Sequence, residues 1–367
     1  MEAEVLPGLA HVASAELRAT GHAEGTRATS EPATADAVAF RWRGAWEPLR
    51  QLRTVTSVQR VVRFDVPRPK ALLGDREFRR LHEAVAQIRS GSPTPFRGVR
   101  VEAAGRDSPT LQRLRSALSE ATGLPDAPDD GDLQIRLRPR RPGTRHDLAG
   151  WEALIRLLPR PWSVRSWRVV DRPGGLNACV AAAAWTMIGL HPKQRVLNAM
   201  CGGGTLLAER HALGPFGSLV GIDLDAAALE AADANLRAAG LHVRVATADA
   251  VEGDADARGS ALLVRGDATA TPWADGAFDV VVADPPWGDA VRGDAGGDGA
   301  TVASTHEGLL REASRLLPPG GRLLLVTHAL RVLDRALAEH GGDWADRGSI
   351  RAFHGGHRPV LRLLERR

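Results

Sequence analysis

From Pro173 onward the sequence repeats one pattern: a short apolar run, a turn, then a helix-like stretch. Arg195–Ala199 (RVLNA) leads into Thr205–His211, and Leu219–Asp223 (LVGID) leads into Ala226–Ala239, with Asp225 as N-cap and Gly240 as C-cap. Phe278–Ala283 (FDVVVA) and Arg322–Thr327 (RLLLVT) are apolar runs of the kind buried in parallel sheets. Asn177–Leu190 reads as a helix before the first strand. Alternating strands and helices of this kind predict a Rossmann-like, doubly wound α/β domain over residues 173–367. Residues 246–261 read as a loop insertion.

The first half lacks that alternation. Ala10–Ala19 and Asp75–Ile88 have helical periodicity, and Ser108–Thr122 begins like a helix with Pro at its first turn. Val38–Arg43, Pro95–Ala103 and Leu133–Leu137 read as strands, while Arg53–Phe64 fits a strand pair and a short helix equally. Thr20–Ala35 is small, polar and unpatterned, and reads as a loop. The expectation is an α+β region over residues 1–160, a linker at 161–172 punctuated by prolines and glycines, and the α/β domain beyond it.

Charge divides along the same line. Residues 1–172 carry 29 basic and 21 acidic side chains, and 173–367 carry 19 and 23. A basic first half makes nucleic acid the first candidate partner for it, against a plain solvated surface. The excess of arginine is a compositional bias, since Lys70 and Lys193 are the lysines and tyrosine is absent. Cys179 and Cys201 cannot form a disulfide framework or a cysteine-rich zinc site. The longest apolar run, Ala178–Leu190, is too short to span a bilayer, and Met1–Glu4 is acidic where a signal peptide is basic. A cytoplasmic monomer without membrane contact is expected.

Three signals carry chemistry. Asn198-Ala199-Met200-Cys201-Gly202-Gly203-Gly204 joins a buried strand to a helix start, where glycines let the backbone approach a ligand closely. Leu207 stands where a dinucleotide fingerprint has its third glycine, so that motif is excluded. Asp223 ends the next strand, 21 residues after Gly202, where an acidic side chain meets the ribose of an adenosine-containing cofactor. Asp267-Ala268 places a carboxylate in the following turn, either at an adenine amino group or in a simple Asx turn. The sharpest signal is Asp284-Pro285-Pro286-Trp287 directly after FDVVVA. An Asp oxygen beside a Pro carbonyl offers two acceptors for an exocyclic amine, and a Trp face can stack the base.

Together these residues resemble the motifs of class I S-adenosylmethionine-dependent methyltransferases that act on exocyclic amines. Val5–Leu9 with Glu16-Leu17, Phe96–Val99 through Asp132–Ile135, and Arg165–Arg168 further resemble THUMP-domain RNA methyltransferases, a group that includes tRNA guanine-N2 methyltransferases. The resemblance implies S-adenosylmethionine as cofactor, held at its methionine end by Asn198–Gly204, at its ribose by Asp223 and at its adenine by Asp267 and Ala268. It implies Asp284, Pro285, Pro286 and Trp287 as the catalytic clamp, a ferredoxin-like plus THUMP first half, and tRNA as partner. Asn198 departs from the usual Asp. Trp287 replaces the commoner Phe or Tyr and keeps adenine-N6 and cytosine-N4 methylation open, as Asn198 keeps open a catalytically silent RNA-binding protein. Arg136, Arg138, Arg140 and Arg141, followed by Arg145, form the densest basic stretch, suited to phosphates or to a solvated edge strand. His354-Gly355-Gly356-His357 reads as a turn, and no metal is expected.

Overall fold

A computed structural model of the chain describes residues 1–30, 36–105, 108–140, 150–251, 259–285, 299–353 and 355–367. Two compact units emerge: Met1–Val5 with Ala13–Ser163, and Leu6–Val12 with Val164–Arg367.

The first unit contains strands β1 (Glu2–Val5), β2 (Ala23–Ser30), β3 (Asp36–Trp42), β4 (Val55–Phe64), β5 (Val99–Glu102), β6 (Leu133–Pro139) and β7 (Trp151–Arg156). Among the described residues they form one sheet in the order β2-β3-β1-β4-β7-β6-β5. Helix α1 spans Ala10–Ala19, and helices α2 (Asp75–Gly91) and α3 (Pro109–Thr122) bury Leu81, Val85, Ile88, Leu111, Leu114 and Leu118. Leu133, Ile135 and Leu137 alternate on the buried face of β6.

One expectation fails here. The stretch expected to be a loop, Thr20–Ala35, contains strand β2. Its sequence AEGTRATS has no apolar alternation because β2 is an edge strand, paired on one side with β3 alone. An edge strand draws its geometry from its neighbour's backbone, not from a buried face. Of the stretch 246–261, read as a loop insertion, β10 takes in Ala246 and Thr247 and β11 takes in Ser260 and Ala261, while 252–258 lie outside the described residues. The ambiguous stretch 53–64 is one strand, β4, between β1 and β7.

The second unit contains α4 (Ala178–Ile188), β8 (Arg195–Ala199), α5 (Thr205–Ala212), β9 (Ser218–Asp223), α6 (Ala226–Ala238), β10 (His242–Thr247) and β11 (Ser260–Arg265). It continues through β12 (Val280–Ala283), α7 (Gly299–Leu316), β13 (Arg322–Thr327), α8 (Leu330–His340), β14 (Trp344–Arg351) and β15 (Val360–Arg366). Its sheet runs β10-β11-β9-β8-β12-β13-β15-β14 among the described residues. Every pairing is parallel except those of β15, which returns as a hairpin with β14. Apolar clusters cover both faces, as a parallel sheet requires. This is the Rossmann-like architecture expected.

From β8 the chain passes to β9 beside it, then to β10 at the sheet edge, fills the place between them with β11, and returns to β12 on the other side of β8. The strand order reverses between β8 and β12, and ligands of such sheets bind at the carboxyl ends beside that reversal. Register makes the position specific: Ala283, the last residue of β12, pairs with Ala199, the last of β8. Met200 and Asp284 therefore leave the sheet side by side.

Candidate active site

Two adjoining cavities open at this reversal, of about 640 and 120 Å³. Arg172, Pro173, Gly174, Met200, Gly202 and Asp284 line both. The larger extends along Asp223, Leu224, Asp225, Asp267, Ala268 and Thr269 to Ser304 and Thr305 of α7. The smaller is closed by Asn198, Cys201, Gly203, Thr205 and Asn235.

The turn after β8 is sharply wound. Met200 has φ 54°, the one positive φ at a non-glycine among the described residues, and backbone held in that region costs of order 1–3 kcal/mol. Gly204 follows at φ 79°, and a Cβ there would lie 3.3 Å from that of Ala232 in α6. Glycine satisfies both demands at once. Asp223 fastens the turn from the neighbouring strand: the Gly202 N–H donates to Asp223 Oδ2 at 2.8 Å, and the Asp225 N–H donates to Oδ1 at 3.0 Å. Asp225 caps α6 by accepting from the Ala227 N–H at 2.9 Å.

Asn198 is 1% exposed. Its Nδ2 donates to the Ala199 and Val282 carbonyls, each at 3.3 Å, and its Oδ1 is buried without a partner. An aspartate here would turn a carboxylate oxygen towards those two carbonyls, so the amide suits the local backbone. An unmet buried acceptor on the wall of the smaller cavity fits a ligand ammonium group.

Asp267 forms an Asx turn, its Oδ1 accepting from the N–H and the hydroxyl of Thr269, both at 2.8 Å. It still lines the larger cavity beside buried Ala268. Cys201 is no nucleophile: burial, and then the Asp223 carboxylate, push its thiol well above the usual value. Asp284 stands at the junction of the two cavities and buried Pro285 lines the larger one, whereas Pro286 and Trp287 lie outside the described residues.

Sequence reasoning assigned no site role to several residues of the pocket and its surroundings. Leu224 is 65% exposed between two aspartates on the cavity wall. Residues 165–172, read from the sequence as part of a joint, form a strap within the second unit. Arg165 pairs with fully buried Glu209 at 2.9 Å, Arg168 donates to Thr205 Oγ1 at 3.0 Å, and Arg172 reaches Asp225 at 2.6 Å. Ser304 and Thr305 are presented by α7, which Glu312 ties to Thr271.

The arginine stretch of β6 is otherwise employed. Arg136 pairs with Glu4 at 2.6 Å, Arg140 with Asp65 at 2.5 Å, and Arg138 spans Glu2 and Glu152 at 2.6 and 3.0 Å. These guanidinium groups are spent on carboxylates, which leaves little of them for phosphate. Arg141, Arg145 and His354 lie outside the described residues. The described residues hold no cluster of three or more metal-ligating side chains, and no helix long and apolar enough to cross a membrane.

A glycine-rich turn after β8, a carboxylate at the end of β9 and an Asp-Pro pair at the end of β12 thus share one pocket. The family described as UPF0020, RMKL-like methyltransferase domain, matches residues 165–359, more than half of the chain. The protein belongs to this methyltransferase family. Residues 165–359 are its methyltransferase domain, whose cofactor is S-adenosylmethionine, and the cavity residues fit that cofactor: Asn198 Oδ1 is an open acceptor, and Asp223 holds the turn.

This methyltransferase is 30% identical over 235 residues to a tRNA (guanine(6)-N2)-methyltransferase of Thermus thermophilus, across 63% of this chain and 60% of that protein. It is 28% identical over 154 residues to a ribosomal RNA small subunit methyltransferase C of Serratia proteamaculans, across 41% of this chain and 36% of that protein. It therefore spans less than two thirds of the length of either relative. TrmN from Thermus thermophilus superposes over 100% of this chain and 99% of its own, with TM-score 0.68 and 24% identity. SMU.472, solved in complex with SAH, does so over 99% and 96%, with TM-score 0.59 and 14% identity. Both likenesses show the fold.

Proposed function

We propose that this methyltransferase acts on tRNA and transfers the methyl group to the exocyclic N2 of a guanosine. The observation that carries the reading is the position of Asp284 at the junction of the two cavities, one residue beyond the Ala283–Ala199 register pair. The relative named as a tRNA (guanine(6)-N2)-methyltransferase supports the substrate.

S-adenosylmethionine supplies an electrophilic methyl group on its sulfonium. The rest is positioning. Asn198 and the turn at 199–204 hold the methionine end, Asp223 the ribose, and Asp267 with Ala268 the adenine. A guanine amine is a poor nucleophile because its lone pair is delocalised into the ring. The Asp284 carboxylate and the Pro285 carbonyl accept hydrogen bonds from its two N–H groups, Asp284 takes up the N–H proton released as the N–CH3 bond replaces the S–CH3 bond, and Trp287 stacks the base after it leaves its helix. Residues 1–160, in this reading a ferredoxin-like and THUMP region, bind the RNA through phosphate contacts.

Adenine-N6 and cytosine-N4 amines offer the same pair of donors, and Asp284-Pro285-Pro286-Trp287 suits them as well. Nucleoside mass spectrometry of tRNA, before and after incubation with protein and cofactor, tests the assignment. N2-methylguanosine is expected. N6-methyladenosine or N4-methylcytidine would replace guanine as target, and cofactor binding without any product would favour an RNA-binding protein that keeps the fold.

A further inference from the structure

Asn235 sits in the last turn of α6 and is only 2% exposed, yet every hydrogen-bonding position of its amide is filled. Its Oδ1 accepts from the N–H groups of Val169 and Val170, both at 2.9 Å. Its Nδ2 donates to the carbonyls of Val170 and Gly203, both at 3.0 Å. Two donors on one side and two acceptors on the other fix the orientation of the amide. Asparagine is a poor helix former and costly to bury, so a fully satisfied one inside a helix marks a specific demand.

The partners belong to two separate stretches. Val169 and Val170 lie in the strap, and Gly203 lies in the glycine-rich turn. Both stretches and Asn235 itself line the smaller cavity. The strap is tied elsewhere by side chains, at Arg165–Glu209, Arg168–Thr205 and Arg172–Asp225. Asn235 joins strap and turn backbone to backbone, and so sets the distance between these two parts of the cavity lining. Its amide makes no bond to Asp223, Leu224 or Asp267 at the other end of the pocket.

We infer that Asn235 is a positioning residue for the methionine end of the cofactor, holding strap and turn at the separation that end requires. The inference rests on the reading of the smaller cavity as the methionine end. Replacement by aspartate keeps the size and the two accepted bonds. It turns a carboxylate oxygen towards the Val170 and Gly203 carbonyls, which drives strap and turn apart.

The test compares two ligands on the full-length chain by calorimetry. S-adenosylhomocysteine fills both ends of the pocket, and adenosine fills the end Asn235 does not touch. Asn235→Asp is expected to weaken S-adenosylhomocysteine about 10- to 100-fold and adenosine by no more than about 3-fold, the former matching loss of one or two buried hydrogen bonds. Equal loss of both ligands would reduce Asn235 to general scaffolding, and unchanged S-adenosylhomocysteine affinity would overturn the inference outright. Wild-type protein that binds adenosine no more weakly than S-adenosylhomocysteine would instead remove the methionine-end reading beneath it. Should the variant fail to fold, hydrogen exchange in the wild type decides. S-adenosylhomocysteine should slow exchange at the Val169 and Val170 amides and adenosine should not; equal slowing by both would overturn the inference.

Discussion

The Gly202 amide and the Asp223 carboxylate meet at 2.8 Å, joining the glycine-rich turn to the end of the neighbouring strand. The residue proposed to meet the ribose therefore also braces the backbone proposed to hold the methionine end. Both carboxylate oxygens accept one backbone N–H, from Gly202 and from Asp225.

Asp223→Asn follows from that double role. An amide has one acceptor oxygen, so either the Gly202 or the Asp225 N–H must face an NH2 group. Binding of S-adenosylmethionine should weaken by about 1–3 kcal/mol in calorimetry, with RNA affinity retained. Unchanged cofactor affinity would separate Asp223 from the cofactor altogether.

Asp284→Ala should behave in the opposite way. With the amine acceptor gone and the turn intact, turnover is expected to fall by at least ~100-fold while cofactor affinity changes by less than about 5-fold. Methylation at near-normal rate would refute the amine clamp.

Glu312 makes the second unit acid-sensitive. Its Oε1 accepts from the Thr271 N–H at 2.9 Å, the Thr271 hydroxyl at 2.6 Å and Arg315 at 2.6 Å, tying α7 to the 271–275 loop. Burial pushes its carboxyl up, but the bonds from Arg315 and Thr271 outweigh it and hold the group below its usual range. A depressed carboxylate contributes stability that is complete above the ordinary value of about 4.3 and is lost as pH falls through the folded-state value. Glu312→Gln should lower the melting temperature at pH 7 and flatten its fall below about pH 4.3. Parallel melting curves for the two proteins across that range would show that Glu312 does not set the acid response.

Gly8→Ala probes the reach of the second unit. Gly8 has φ 91°, and a Cβ there would lie 1.9 Å from the Arg351 carbonyl oxygen. The Phe353 N–H donates to the Pro7 carbonyl at 3.0 Å, and Leu9 and Val12 are buried in the core cluster that contains α4. The variant should lose roughly 2 kcal/mol or more, read as a lower melting temperature. A fully stable Gly8→Ala protein would mean that segment 6–12 contributes nothing to the methyltransferase unit.

The sequence alone determined the parts whose signals are local. Alternating apolar runs and helical stretches announce β8, β9, β12 and β13, and the strand-to-turn junctions mark Asn198–Gly204, Asp223 and Asp284, because burial period and backbone freedom are written within a few residues. Tertiary structure decided what depends on distant partners. The Ala199–Ala283 register brings turn and clamp together across 84 positions. Strand β2 lacks alternation because an edge strand is shaped by its neighbour, and the arginines of β6 and Arg140 just beyond it, which look free along the sequence, are paired with Glu2, Glu4, Glu152 and Asp65. Asn235 reads as an ordinary polar helix residue until Val169, Val170 and Gly203 fold against it. Segment 6–12 joins a unit whose remainder begins at Val164. A hydrogen bond or an ion pair is specified by where two groups end up in space, and separations of this size leave no periodicity from which that meeting can be read.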